Sequence, residues 1–269
     1  MSLKEKTIGF IGCGNMGSAM ISGIIDSGVI SKENILASVK TKESANKKQK
    51  ELGILVLTDN KEVAEKADVL FLAVKPQFLD SVLAEISERL DNKKLIVSIA
   101  AGRTLDYFKE KIGKDKKVIR GMPNTPAMVK EGMMGICVNE NVTDLECQEI
   151  KELCLGFSKT ELVQENLMDV VTAVSGSSPA YVFMFIEAMA DAAVSGGMPR
   201  KQAYEFAAQA VLGSAKMVLE TKKHPGELKD MVCSPAGTTI EAVRVLEEKG
   251  LRSAVIEAME KCLEISKKM

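Results

Sequence analysis

Short apolar runs alternate with amphipathic stretches along the chain, and after about Gln164 the runs stop. The runs occupy residues 7–11, 35–38, 69–74, 95–99, 117–120 and 134–138. Helical spacing fills 15–27, 42–52, 77–90 and 105–112 between them, and a further helix over 143–157 with an apolar run near 161–163 closes this half. Continuously apolar strands alternating with helices predict a parallel sheet covered on both faces. Beyond Gln164 only helices are predicted, and their ends announce them. Ser178-Pro179 reads as an N-cap and first-turn proline, with Gly196-Gly197 as the stop. Pro199 opens a helix to Lys223, Pro225 a short one, and Thr238 a third that ends at Lys249-Gly250, before a last helix over 251–267. The expected organisation is an α/β domain over 1–164 followed by an all-α helical domain over 165–269, in line with about two domains for 269 residues.

Composition narrows the chemistry. Lys and Arg total 36 against 37 Asp and Glu, a net charge of −1, which argues against a nucleic-acid partner held by a basic field. The single histidine, His224, excludes a histidine-cluster metal site, and no metal site is expected; a Ser-His-Asp hydrolase would have to use that residue. His224 reads as a helix-boundary residue, favourable near a helix C-terminus. The six cysteines form no C-x-x-C pair and are expected to be reduced, buried or partly buried thiols. The chain runs from Met1-Ser2-Leu3 directly into a strand, so no targeting segment is expected and the location is expected to be cytoplasmic. The apolar stretch over 180–194 is broken by Glu187 and Asp191, which predicts a buried helix and no membrane span.

Gly12-Cys13-Gly14-Asn15-Met16-Gly17 matches G-x-G-x-x-G, and it follows a predicted strand and opens a predicted helix, the context that gives this motif its specificity. Gly12 suits the tight turn, Gly14 the approach of a pyrophosphate, and Gly17 close helix–strand packing, with the pyrophosphate on the helix N-terminus. This is the fingerprint of a Rossmann-type dinucleotide-binding domain. An NAD site usually places Asp or Glu at the end of the second strand; here the residues are Ala37-Ser38-Val39-Lys40-Thr41-Lys42. Ser38 can donate to a 2′-phosphate and Lys40 and Lys42 add positive charge. That favours NADP(H), with NAD(H) as the alternative. The strand ends Ala73-Val74-Lys75-Pro76 and Ser98-Ile99-Ala100-Ala101-Gly102 should also face the cofactor, and the turn 120–126 suits a wall near a nicotinamide. In the helical half, Ser234 to Gly237 forms a tight loop, and Thr238 with Glu241 fits a capping box. The same helix start can offer the N–H groups of Gly237, Thr238 and Thr239 to a carboxylate.

These segments resemble the pyrroline-5-carboxylate reductase family over essentially the whole chain. The resemblance is carried by residues 10–17, 73–76, Met122-Pro123-Asn124-Thr125-Pro126, Ser175-Gly176-Ser177-Ser178-Pro179-Ala180-Tyr181 and 224–243. It implies an NADP(H) site lined by Ile11, Gly12, Cys13, Gly14, Asn15, Met16, Ser38, Lys40, Asn60, Ala73, Val74, Lys75, Pro76, Ile99, Ala100 and Ala101, with Gly17 completing the motif. It implies a substrate carboxylate held by the loop from Ser234 to Thr239, and Thr239 as the catalytic hydroxyl bonded to the ring nitrogen. Glu165 matches an acidic active-site position of the family. The implied reaction is hydride transfer from NADPH to C5 of Δ1-pyrroline-5-carboxylate, giving L-proline in the last step of proline biosynthesis.

Two other readings stand beside it. A β-hydroxyacid dehydrogenase shares the two-domain plan but typically uses a lysine on the first helix of its second domain, and no lysine lies between Lys159 and Lys201. A non-catalytic NADP-sensing protein would leave the 234–239 loop unexplained. Val211-Leu212 and Met217-Val218 recur near helical spacing, so the helical domain has more apolar surface than it can bury alone and is expected to form a homodimer. The resemblance adds rings of dimers, often decamers.

Overall fold

The computed structural model describes residues 3–268; Met1, Ser2 and Met269, ends of the two expected domains, lie outside the described residues. The chain divides into two compact units, Met1–Ser177 with Cys262–Met269, and Ser178–Lys261.

The first unit is built on an eight-stranded sheet of order β3-β2-β1-β4-β5-β6-β7-β8. Its strands are β1 (Ile8–Ile11), β2 (Ile35–Ser38), β3 (Leu55–Leu57), β4 (Val69–Leu72), β5 (Leu95–Ser98), β6 (Lys117–Met122), β7 (Gly132–Val138) and β8 (Ser158–Leu162). The connecting helices are α1 (Asn15–Ser27), α2 (Lys42–Leu52), α3 (Asn60–Lys66), α4 (Pro76–Ile86), α5 (Leu105–Ile112) and α6 (Asp144–Cys154), followed by α7 (Met168–Val171). Alternate strand residues feed two separate cores, one on each face. Phe10 and Phe71 enter one, with stacked rings 4.6 Å apart, while Ile11, Leu70 and Leu72 enter the other. Both faces are covered, which explains why these strands read as unbroken apolar runs.

The sheet departs from the expected all-parallel arrangement at one pair. β6 and β7 are antiparallel because the short segment joining them, a 3-10 turn over Thr125–Val129, cannot make the crossover a parallel pair needs. β7 and β8 are parallel again, with α6 as their crossover.

The second unit holds α8 (Ser178–Ser195), α9 (Arg200–Thr221), α10 (Pro225–Val232), α11 (Thr238–Glu248) and most of α12 (Leu251–Ser266). Its buried core is small: Ala190, Ala203 and Ala207, flanked by half-buried neighbours such as Ile186 and Met189. The expectation of a buried helix over 180–194 is corrected here. Phe183 is 62% exposed and Met184 69%, and Phe206 on α9 is 63% exposed. Among the described residues one helix, Glu165–Ser195, is long and apolar enough to cross a membrane by length and composition alone, and 11% of its apolar window is buried within the chain. These faces need a cover that a unit of this size does not supply.

Ser178 is not an N-cap either. Met168–Val171, a π-helical turn over Thr172–Ser177 and Ser178–Ser195 follow one another without a break. Pro179 has no N–H for the carbonyl four residues back, Ser175. That carbonyl instead accepts Asn124 Nδ2 at 3.0 Å, and Asn124 Oδ1 accepts the Met133 N–H at 2.8 Å. The buried Asn124 thus supplies the hydrogen bond that the proline cannot, and the helix continues through it.

Candidate functional site

A cleft of about 650 Å³ opens beyond the carboxyl ends of β1, β2, β3 and β4. β1 is central, with β2 on one side and β4 on the other, so the cleft lies where the strand order reverses, the usual ligand position in such sheets. Residues 11–14 leave β1 into it, Ser38 and Lys40 end β2, and residues 73–75 leave β4. Gly12 has φ +97°, and a Cβ there would lie 2.6 Å from the Ala73 carbonyl oxygen; the turn admits only glycine. A Cβ on Gly17 would lie 2.6 Å from the Gly12 carbonyl oxygen, so α1 packs directly on the turn. Gly14 differs. It has φ −72°, caps α1 without a side-chain bond, and a Cβ there would meet nothing within 4 Å. The protein does not require glycine at that position, but a group brought against the N–H donors of the first helical turn does. The residues present therefore fit a dinucleotide pyrophosphate.

Of the expected cofactor residues, Ile11, Gly12, Cys13, Gly14, Ser38, Lys40, Asn60, Ala73, Val74 and Lys75 line the cleft. Asn15, Met16 and Gly17 form the first turn of α1 behind Gly14, and Pro76 is the first residue of α4. Ile99, Ala100 and Ala101 follow β5 outside the cleft lining. Ser38 is placed differently from its expected role. It is fully buried and its Oγ donates to Asn60 Oδ1 at 2.7 Å, so its proton is already used. Burial also pushes the Cys13 thiol above its ordinary value, moderated by the Ser18 hydroxyl beside it, which makes Cys13 a neutral wall and not a nucleophile. Other lining residues were not expected: Ser44 and Lys48 on α2, and Phe78, Ser81, Val82 and Glu85 on α4. Their signal is helical spacing. Ser44 and Lys48 are four apart, and the α4 set falls on one face of a helix leaving a cofactor-facing strand.

Glu165 lies on a 3-10 turn, Glu165–Leu167. Its carboxylate accepts from the Leu105 N–H at 2.7 Å and pairs with Arg120 within β6. It braces the start of α5 against the sheet.

In the second unit, Ser234 to Gly237 is a turn closed by the Gly237 N–H on the Ser234 carbonyl at 3.1 Å. Gly237 is therefore not a free donor, contrary to expectation. Ala236 takes a left-handed φ of +56°. The capping box is also absent: Gly237 is the N-cap, Thr238 is already helical, and Glu241 accepts from Arg244 at 3.1 Å. Among the described residues the N–H groups of Thr238, Thr239 and Ile240, in the first turn after the N-cap, have no helical or side-chain cap partner. Thr239 is half-buried. His224 is at an N-terminus and not a C-terminus: it caps α10, its Nδ1 accepting from the Gly226 N–H at 3.0 Å, which requires an unprotonated Nδ1. All six cysteines are free, and Cys13, Cys137, Cys147 and Cys154 are buried.

The doubly wound sheet and its glycine cradle define a dinucleotide-binding protein of the Rossmann type. A family model described as NADP oxidoreductase coenzyme F420-dependent matches residues 7–102, and one described as Pyrroline-5-carboxylate reductase dimerisation matches residues 165–269. A pyrroline-5-carboxylate reductase of Escherichia coli is 56% identical over 265 residues, covering 98% of each chain. A solved pyrroline carboxylate reductase of Plasmodium falciparum with NADP bound superposes with a TM-score of 0.89 at 32% identity, covering 99% of each chain. The Coxiella burnetii pyrroline-5-carboxylate reductase gives a TM-score of 0.91 at 32% identity over 98% of each chain. The chain belongs to the pyrroline-5-carboxylate reductase family.

Proposed function

We propose that this chain reduces Δ1-pyrroline-5-carboxylate to L-proline. NADPH held in the α/β cleft supplies the hydride for C5 of the cyclic imine, with NADH as the alternative donor. One observation carries this reading: the Escherichia coli relative named pyrroline-5-carboxylate reductase is 56% identical over 98% of each chain, a match that spans both halves.

Residues 12–14 and the first turn of α1 hold the pyrophosphate, and Lys40 and Lys48 supply positive charge on the ribose side. The N–H groups at the start of α11, Thr238, Thr239 and Ile240, hold the substrate carboxylate beside Ser234 and Gly237. The Thr239 hydroxyl orients the ring nitrogen and relays its proton, since an imine takes hydride most readily when protonated. Glu165 holds Arg120 and the start of α5 in place.

The exposed faces of α8 and α9 are covered by a second copy of the chain, giving a homodimer, and dimers assemble further into rings such as decamers. The enzyme works in the cytoplasm. Oxidation of NADPH by pyrroline-5-carboxylate, run in parallel with NADH, tests the activity: faster turnover with NADPH supports the reading, and no oxidation of either cofactor refutes it. Light scattering tests the assembly, since a monomer mass at micromolar concentration removes the dimer.

A further inference from the structure

Ser38, Asn60 and Glu85, on three different elements, form a hydrogen-bonded chain along the cleft. The buried Ser38 Oγ donates to Asn60 Oδ1 at 2.7 Å, and Asn60 Nδ2 donates to Glu85 Oε2 at 2.7 Å. Asn60 opens α3 and is half-buried; Glu85, on α4, is exposed, and both line the cleft. An amide can turn over, exchanging its oxygen and nitrogen. Here it cannot do so without cost, because a carboxylate only accepts and the turned amide would set Oδ1 against Glu85 Oε2. Nδ2 carries a second N–H, which has no protein partner among the described residues.

The geometry points to Glu85 as a positioning residue for the nucleotide: it holds the Asn60 amide so that an N–H, and not a carbonyl, is presented to an oxygen acceptor on the ribose side of NADP(H). By charge alone a carboxylate in a phosphate-binding cleft would weaken binding. Acting through Asn60, it strengthens binding by replacing the donor that Ser38 has already used. This assignment rests on the reading that the cleft takes NADP(H).

The test is titration calorimetry of NADPH and of NADH on the full chain, with thermal unfolding of each variant in parallel. Glu85→Leu removes the acceptor and should raise the NADPH dissociation constant about fivefold, the scale of one hydrogen bond, while the melting temperature holds. Glu85→Gln keeps an acceptor oxygen and should stay within about twofold. In an Asn60→Ala background, Glu85→Leu should add no further loss. An effect confined to NADPH places the acceptor on the 2′-phosphate, and an equal effect on NADH places it on a ribose oxygen; both support the assignment. Unchanged or tighter binding by Glu85→Leu, equal damage from Glu85→Gln, or a Glu85→Leu effect that persists in Asn60→Ala overturns it. Absence of NADPH binding by the unaltered chain overturns the cleft reading itself, and this assignment with it.

Discussion

Gly14→Ala places a methyl group at the mouth of the nucleotide turn without touching the protein. The backbone at φ −72° and ψ −166° suits alanine, and the new Cβ meets no heavy atom within 4 Å. Alanine is a poorer N-cap than glycine by roughly 0.5–1 kcal/mol, while the stiffer unfolded chain returns about 0.4–1 kcal/mol, so stability should change by less than about 1 kcal/mol. Binding should change far more. The methyl holds a pyrophosphate away from the α1 N–H donors, and losing about two charge-assisted hydrogen bonds costs roughly 3 kcal/mol, or over a hundredfold in the NADPH dissociation constant. Gly12→Ala provides the contrast. There φ is +97° and the Cβ lies 2.6 Å from a backbone oxygen, so the fold itself should lose about 2 kcal/mol or more, a drop of roughly 4–8 °C in melting temperature. Thermal unfolding and NADPH titration of both variants separate the two effects. Wild-type affinity in Gly14→Ala, or a melting loss as large as that of Gly12→Ala, would refute the cradle geometry.

Other outcomes follow from the same structure. Thr239→Ala should lower turnover with pyrroline-5-carboxylate by about tenfold or more while leaving NADPH binding intact; unchanged turnover in steady-state kinetics removes the hydroxyl from the chemistry. Asn124→Ala leaves the Met133 N–H and the Ser175 carbonyl without their partner and should cost about 3 kcal/mol, readable by denaturant unfolding. Burial raises the Cys154 thiol to about 12, above its ordinary 9.0. A raised folded value means stability that is complete below about pH 9 and lost as pH rises toward 12, because only the unfolded chain ionises there. Melting temperatures measured across that window should fall, and less steeply in Cys154→Ala.

The α/β half was legible wherever an element was long or fully buried. β1, β2, β4 and β5 are four-residue strands buried at every position, so they stand out as apolar runs, and the glycine motif falls on the first turn they make. β3 and α3 were missed for the converse reason. β3 has three residues with Leu55 exposed, and α3 is a short helix whose plainest signal is the N-cap Asp59, accepting from the Lys61 and Glu62 N–H groups. Missing α3 hid the setting of Asn60, and the α4 face that carries Glu85 was missed as well. Pro179 misled through a tertiary effect. Its rule assumes an orphaned carbonyl, and Asn124, distant in sequence, removes the orphan. The helical half was legible in its helix boundaries but not in its burial. An apolar helix reads the same whether its own chain or a second copy covers it, and α8 is mostly exposed in the single chain.

Reduction with NADPH carrying deuterium at both C4 positions tests the central reading most directly, by following the transferred atom and not the disappearance of a cofactor. The expected product is L-proline carrying one deuterium at C5, formed in equal amount to the NADPH oxidised. Unlabelled proline, or NADPH consumed without proline, would contradict hydride transfer to the imine by this chain.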